Sequence, residues 1–148
     1  MIEKNKRTRN SQETYQYERT YRDFNKNDII SKIKTMGFKK KGKFLFKVQS
    51  FSSPKGGRDQ YIRVRDEGHR VTVTHKKYSK KDFAQETEII VDNFEKAIKL
   101  LEKIGCKKKH YYEKTREIWF KNKVEISFDK SDKNSNDNYM DIESNSEV

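Results

Sequence analysis

Extended stretches of this chain alternate between apolar and charged side chains, and that alternation limits the folds it can enter. Along Tyr61-Ile-Arg-Val-Arg65, Ile62 and Val64 share one face while Arg63 and Arg65 share the other, because strand side chains point alternately to the two faces of a sheet. Val71 and Val73 lie opposite Thr72, Thr74 and Lys76, and Glu86 and Glu88 lie opposite Thr87, Ile89 and Val91. Val124, Ile126 and Phe128 oppose Glu125, Ser127 and Asp129, and Met140 and Ile142 oppose Asp141 and Glu143. Lys114 and Arg116 share a face if 111–120 is a strand.

Three arrangements compete. An open antiparallel sheet would carry helices on its apolar face and leave the charged face in water. A closed barrel would turn the charged face inward; strands near 15–22 and 44–50 bring the number to eight, enough for an interior that holds one small ligand. Unpaired charge is prohibitively costly in a dry interior, so such a barrel makes sense only if it is wet and binds charged matter. The third, chance alternation in a Lys-rich chain, fits poorly with paired arginines on one strand and paired acids on others. In the barrel, Arg63, Arg65, Lys76, Lys114 and Arg116 would meet Glu18, Glu86, Glu88, Glu125, Asp129, Asp141 and Glu143 in one space. Cations clamp anions and carboxylates hold hard cations, which together is how a polyphosphate with magnesium or manganese is bound.

The helices come from an internal repeat. Residues 33–41 match residues 101–109 at an offset of 68 that places Gly37 on Gly105 and Glu18 on Glu86. Phe94, Ala97, Ile98, Leu101 and Ile104 follow the helical period between a cap at Asp92 or Asn93 and a stop at Gly105. Ile29, Ile30, Ile33 and Met36 do the same between Asn27 and Gly37. Two copies imply one pseudo-symmetric domain, 13–143, preceded by a disordered basic leader over 1–12 and followed by a tail over 144–148, with a flexible loop over 130–138.

Composition narrows the partners. Of 148 residues, 35 are Lys or Arg and 23 Asp or Glu, and the net charge of +12 favours an anionic partner. No apolar run is long enough for a membrane span and the N-terminus has no signal-peptide core, which points to a soluble cytoplasmic protein without membrane contact. The lone Cys106 and the scattered His69, His75 and His110 do not make a zinc site. Lys39–Lys41 and Lys107–Lys109 read either as solvated helix ends or as a nucleic-acid surface.

The order of motifs from Tyr15 to Glu143 resembles the CYTH superfamily, the class IV adenylate cyclases and thiamine triphosphatases also called triphosphate tunnel metalloenzymes. The resemblance is carried by residues 61–68 (Tyr-Ile-Arg-Val-Arg-Asp-Glu-Gly), 71–76, Glu86-Thr-Glu88, 91–97, 112–119, 124–129 and Met140-Asp-Ile-Glu143. It implies an α+β fold: an eight-stranded antiparallel closed β-barrel, or tunnel, with helices packed outside and pseudo-symmetric halves. It also implies a triphosphate substrate, such as a nucleotide, thiamine triphosphate or inorganic triphosphate, that is hydrolysed or cyclised with Mg2+ or Mn2+. Carried over by position, Arg63, Arg65, Lys76, Lys114, Arg116, Glu86 and Glu88 would bind substrate, and Glu18, Glu125, Asp129, Asp141 and Glu143 would serve the metal. Glu18, Lys76 and Arg116 are the candidates for catalysis. The family's opening Glu-x-Glu-x-Lys falls on Gln16, Glu18 and Thr20, keeping its middle member alone. A protein so altered could instead be a catalytically weakened nucleotide or polyphosphate binder, or bind the 5′-triphosphate end of an RNA.

Overall fold

The computed structural model describes residues 14–80, 83–131 and 138–147; the expected leader over 1–12 and residues 132–137 of the expected loop lie outside them. In chain order the elements are β1 (Thr14–Tyr21), α1 (Lys26–Thr35), β2 (Lys39–Ser52), β3 (Gln60–Asp66), β4 (Val71–Lys80), β5 (Phe83–Val91), α2 (Phe94–Lys103), β6 (Lys107–Lys121), β7 (Val124–Ser131) and β8 (Asn138–Glu147). All eight strands close into one antiparallel barrel in the order β1-β5-β4-β3-β2-β6-β7-β8. Residues 144–147, expected as tail, are part of β8 and pair with β1.

The offset of 68 carries α1 onto α2 residue for residue, and carries β1, β2 and β4 onto β5, β6 and β8 to within a residue or so. Exchanging the halves leaves the ring order unchanged, as a pseudo-two-fold axis requires. Capping repeats too. The Asn25 side chain accepts from the Asp28 N–H and the Asn93 side chain from the Lys96 N–H, so α1 starts two residues before the expected Asn27. Each helix ends at a left-handed glycine, Gly37 (φ 90°) or Gly105 (φ 100°), and the next residue's N–H, from Phe38 or Cys106, returns to the carbonyl of Ile33 or Leu101.

Each helix covers one outer wall. Ile33 of α1 packs with Phe38, Trp119, Ile126, Phe128 and Met140, whereas α2 packs Phe94, Ala97, Ile98 and Leu101 on Phe51, Val64 and Cys106. Neither cluster includes the outer face where β1 meets β5. That seam is the shortest in the described ring, four residue pairs, and Tyr15, Tyr17 and Phe83 bridge it with ring centroids 5.0 Å apart.

The two lysine triplets open strands β2 and β6 and are not helix ends. A bulge breaks the β2–β6 register at each triplet, once between Lys40 and Gly42 and once opposite Gln49 to Phe51, where β6 carries the extra residue near Lys109. A bulge exchanges the faces of the residues that follow it. Phe38 and Cys106, before the bulges, therefore join the outer cores, while Phe44, Phe46 and Val48 of β2 and Lys114 and Arg116 of β6 point inward. Gly42 has no room for a side chain: a Cβ there would sit 2.8 Å from the Phe44 ring.

Candidate functional site

The barrel interior gathers all twelve charged residues whose strand phase pointed inward. It is not charged throughout, however. Phe44, Phe46, Val48 and Ile118 form an apolar cluster inside the ring, and the guanidinium groups of Arg65 and Arg116 lie 5.1 and 5.4 Å from the Phe46 ring centroid.

The wall made by β6, β7 and β8 is tightly paired. Arg116 donates from Nε and Nη2 to the two oxygens of Asp129 at 2.7 and 2.6 Å, and from Nη2 to Asp141 at 3.3 Å, with Glu143 4.0 Å away. Lys114 Nζ donates to Asp129 at 2.8 Å and to the Tyr139 hydroxyl at 3.1 Å. Burial opposes the charge of Arg116, but the hydrogen bond and charge of Asp129 outweigh it and raise the arginine further. Asp129, buried as well, is held below the ordinary carboxylate range by Arg116 and Lys114. Lys114 is driven the other way, down to about 8, first by burial and then by the neighbouring Arg116.

Across the tunnel, the wall made by β3, β4 and β5 is looser. Arg63 is half-buried, its buried Nε has no hydrogen-bond partner, and its ion pair with Glu86 spans 4.0 Å. Burial raises Glu86, Glu125 and Asp141 above the usual carboxylate range. Glu88 accepts from the Thr74 hydroxyl at 2.7 Å. Arg65 is oriented by Glu67, which accepts from Arg65 Nε and Nη2 and from Arg70 Nε and is itself buried. Glu67 and Arg70 escaped the sequence reading, although extending the alternation of 63 and 65 by one step reaches Glu67.

Between the walls, carboxylate oxygens of Glu18, Asp141 and Glu143 all lie within 4.8 Å of one another. Their strands explain it: on β1 and β8, Glu18 pairs with Glu143 and Thr20 with Asp141. Each carboxylate already receives a hydrogen bond. Lys76 Nζ donates to Glu18 at 2.5 Å, Thr20 to Asp141 at 2.6 Å, and Gln16 Nε2 to Glu143 at 2.8 Å. Burial raises Glu18, but the charge and hydrogen bond of Lys76 outweigh it and lower the carboxyl overall; Lys76 is raised in turn. The buried Gln16 Oε1 has no partner, so three carboxylates and an amide oxygen supply a hard-oxygen donor set suited to magnesium or manganese. Among the sequence candidates, Asp129 sits outside this group, committed to Arg116 and Lys114, and Glu125 joins it only through its β7–β8 pairing with Glu143.

The five inward cations and seven inward carboxylates nearly balance, and Lys41, Arg70 and Glu67 line the same cavity. The chain's +12 therefore lies entirely outside those twelve residues.

Comparison with known proteins agrees with this geometry. Residues 16–148 match the model of the CYTH domain. Among solved structures, PH1012 from Pyrococcus horikoshii is 27% identical with a TM-score of 0.75, the match covering 87% of this chain and 77% of that one. An adenylate cyclase candidate from Vibrio parahaemolyticus is 15% identical with a TM-score of 0.72, covering 87% and 75%. HpAC1 from Hippeastrum, an adenylyl cyclase candidate described as having a dominant triphosphatase activity, is 9% identical with a TM-score of 0.55, covering 90% and 79%. No protein of curated function matches the sequence. A family model spanning nearly the whole barrel, and a ring closed around inward arginines and an acidic triad, lead to one conclusion: the chain belongs to the CYTH family.

Proposed function

We propose that the chain binds a triphosphate-containing substrate in its tunnel and hydrolyses or cyclises it with Mg2+ or Mn2+. One observation carries this reading: Arg63 and Arg65 line one cavity with Glu143, which groups with Glu18 and Asp141 through carboxylate oxygens within 4.8 Å of one another, so cations suited to phosphate and carboxylates suited to a metal lie side by side. Arg63, with its unpartnered Nε, and Arg65, aimed by Glu67, would hold phosphate oxygens and take up charge that develops there as a P–O bond breaks. Lys76 and Lys114 would add positive charge from the tunnel floor, with Glu86 and Glu88 fixing the substrate arginines. Arg116, tied to Asp129, would act with Glu18 and Lys76 at the reacting phosphate by keeping the acidic group in place. Glu18, Asp141 and Glu143, supported by Glu125 and Gln16, would hold the ion, which when bound would polarise phosphoryl oxygens.

Incubation with ATP, thiamine triphosphate or inorganic triphosphate and Mg2+ or Mn2+ tests the proposal. Phosphate or cyclic nucleotide should appear, and should vanish in chelator. A rise in melting temperature with ligand but no product would replace the enzyme by a binder. The hydrogen bonds that Gln16, Thr20 and Lys76 already donate to the acidic group favour that second reading. The basic excess outside the tunnel is consistent with guiding an RNA 5′-triphosphate, so triphosphate-ended RNA belongs in the same assay. We place the activity in the cytoplasm; among the described residues no helix is long and apolar enough to cross a membrane.

A further inference from the structure

The turn that joins β3 to β4 is organised around one carboxylate. The Glu67 N–H donates to the Arg70 carbonyl, Gly68 takes a left-handed φ of 89°, and the Gly68 N–H donates to the Asp66 side chain at 2.9 Å. Within this rigid turn the Glu67 side chain is almost fully buried. One of its oxygens accepts from Arg65 Nε and Nη2, the other from Arg70 Nε. Two guanidinium groups therefore share a single carboxylate, whose charge balances one of them. Both arginines line the cavity that also holds Arg63, Lys41 and Glu143.

A surface ion pair three residues apart would need none of this: such a pair contributes little, and its carboxylate stays in water. Here burial raises Glu67, but the charge of Arg65 and the hydrogen bond and charge of Arg70 outweigh it and keep the carboxylate ionised. Arg65 is still held below its ordinary value, first by burial and then by the neighbouring Arg63, with Glu67 offsetting only part. By taking the Nε edge of each guanidinium, Glu67 leaves Nη hydrogens of both for a further acceptor, and Arg70 Nη2 reaches Glu88 only at 3.9 Å. That flat fork of donors is the group that matches phosphate oxygens two at a time. Arg70 is the more accessible member, its side chain 37% exposed against 11% for Arg65. It lies one step beyond the inward row of Thr72, Thr74 and Lys76 on β4, as Glu67 lies one step beyond Arg63 and Arg65 on β3.

We infer that Glu67 is a positioning residue that holds Arg65 and Arg70 as one unit, and that Arg70, supplied by the β3–β4 turn, is a further phosphate-binding residue. A phosphoryl group lying across the two guanidiniums supplies the negative charge that one carboxylate cannot. This inference rests on the tunnel being a triphosphate site and extends it by a residue outside the strands.

Calorimetric titration of the full chain with inorganic triphosphate and Mg2+ tests it. Arg70→Ala should lower the affinity about tenfold, the scale of one hydrogen bond to a charged group, while the melting temperature without ligand stays near wild type. Arg70→Lys should recover only part of the loss, because it keeps the charge without the fork. Glu67→Gln should weaken binding more than Arg70→Ala, since both arginines lose their anchor, yet cost less when Arg70 is already alanine. Nitrogen-15 NMR reads the positioning directly: the Nε–H signal of Arg70 should shift on adding triphosphate to the wild type and broaden in Glu67→Gln. Arg70→Ala that binds as tightly as the wild type overturns the role of Arg70. A Glu67→Gln loss of equal size with and without Arg70 makes Glu67 merely structural. If Glu67→Gln does not fold, an Arg70 Nε–H signal in the wild type that ignores triphosphate overturns the shared unit. A wild type that binds no inorganic triphosphate overturns the tunnel reading itself.

Discussion

Arg116 and Arg63 face each other in one tunnel with opposite degrees of commitment. Arg116 is held by both oxygens of Asp129 and by Asp141, with Glu143 close by. Arg63 has an unpartnered Nε and one long contact to Glu86. The β6–β8 wall is a finished network whose charges answer one another, whereas on the β3–β5 wall Arg63 has no comparably close partner. A buried charge that is already fully paired contributes shape; one left partly paired is kept in readiness at a cost in stability.

The largest expected effect breaks the finished wall. Arg116→Met leaves Asp129 and Asp141 buried without their main cation and should cost about 3–5 kcal/mol of stability, the scale for removing one partner of a buried pair. Urea denaturation would measure it, and a loss under 1 kcal/mol would mean that the network is solvated. The loose wall should lose less. Arg63→Ala should cost less stability than Arg116→Met, because Arg63 has a single 4.0 Å ion pair to lose, while weakening triphosphate binding by roughly 1.5–3 kcal/mol, as expected for a hydrogen bond to a charged group. Equal stability losses at the two arginines would erase the contrast.

A smaller effect sharpens the comparison at the acidic group. Gln16→Glu should raise magnesium affinity and, by reciprocal linkage, the affinity for triphosphate in the presence of magnesium, by roughly the tenfold that about 1.4 kcal/mol of coupling provides. Titrations in which neither affinity responds would exclude Gln16 from the ion's surroundings. The smallest effect is a proton. Lys114, near 8 in the folded chain against 10.5 when unfolded, is a base whose folded value is depressed. The folded state therefore gains stability as pH rises from about 8 to 10.5 and carries the full penalty below 8. An arriving phosphate should restore the ammonium, so binding at pH 8.5 should take up a fraction of a proton that Lys114→Met abolishes. Binding enthalpies identical across buffers of different ionisation heat would contradict this.

The inward set was legible from residue order alone because alternation is local: Arg63 and Arg65, or Asp141 and Glu143, need nothing beyond the pleat to share a face. The helices were legible for the same reason, down to the two glycines, with the α2 cap narrowed only to Asp92 or Asn93 and the α1 start placed two residues late. The apolar face of β2 was not. The strand near 44–50 gave no face for Phe44, Phe46 and Val48, and the bulge at Lys41, a property of pairing with β6, puts them on the inner side opposite to Phe38. The division of carboxylates between Asp129, which anchors cations, and the group of Glu18, Asp141 and Glu143 depends on which strands become neighbours, and no periodicity along the chain reveals that.

In the ring, β1 lies between β5 and β8, both from the second half of the chain, and β5 lies between β1 and β4, both from the first. Each half thus lends its opening strand to the other. For folding, β1 has no partner until the chain has passed residue 83, and Glu18 meets Asp141 and Glu143 only when the last strand docks. Contacts separated by so much sequence are slow to form, since loop-closure entropy is lost before they reward it. Cation binding and final closure should therefore be one kinetic event, with a divalent ion slowing unfolding by resisting the release of β1 from β8 while leaving the hairpins of either half untouched.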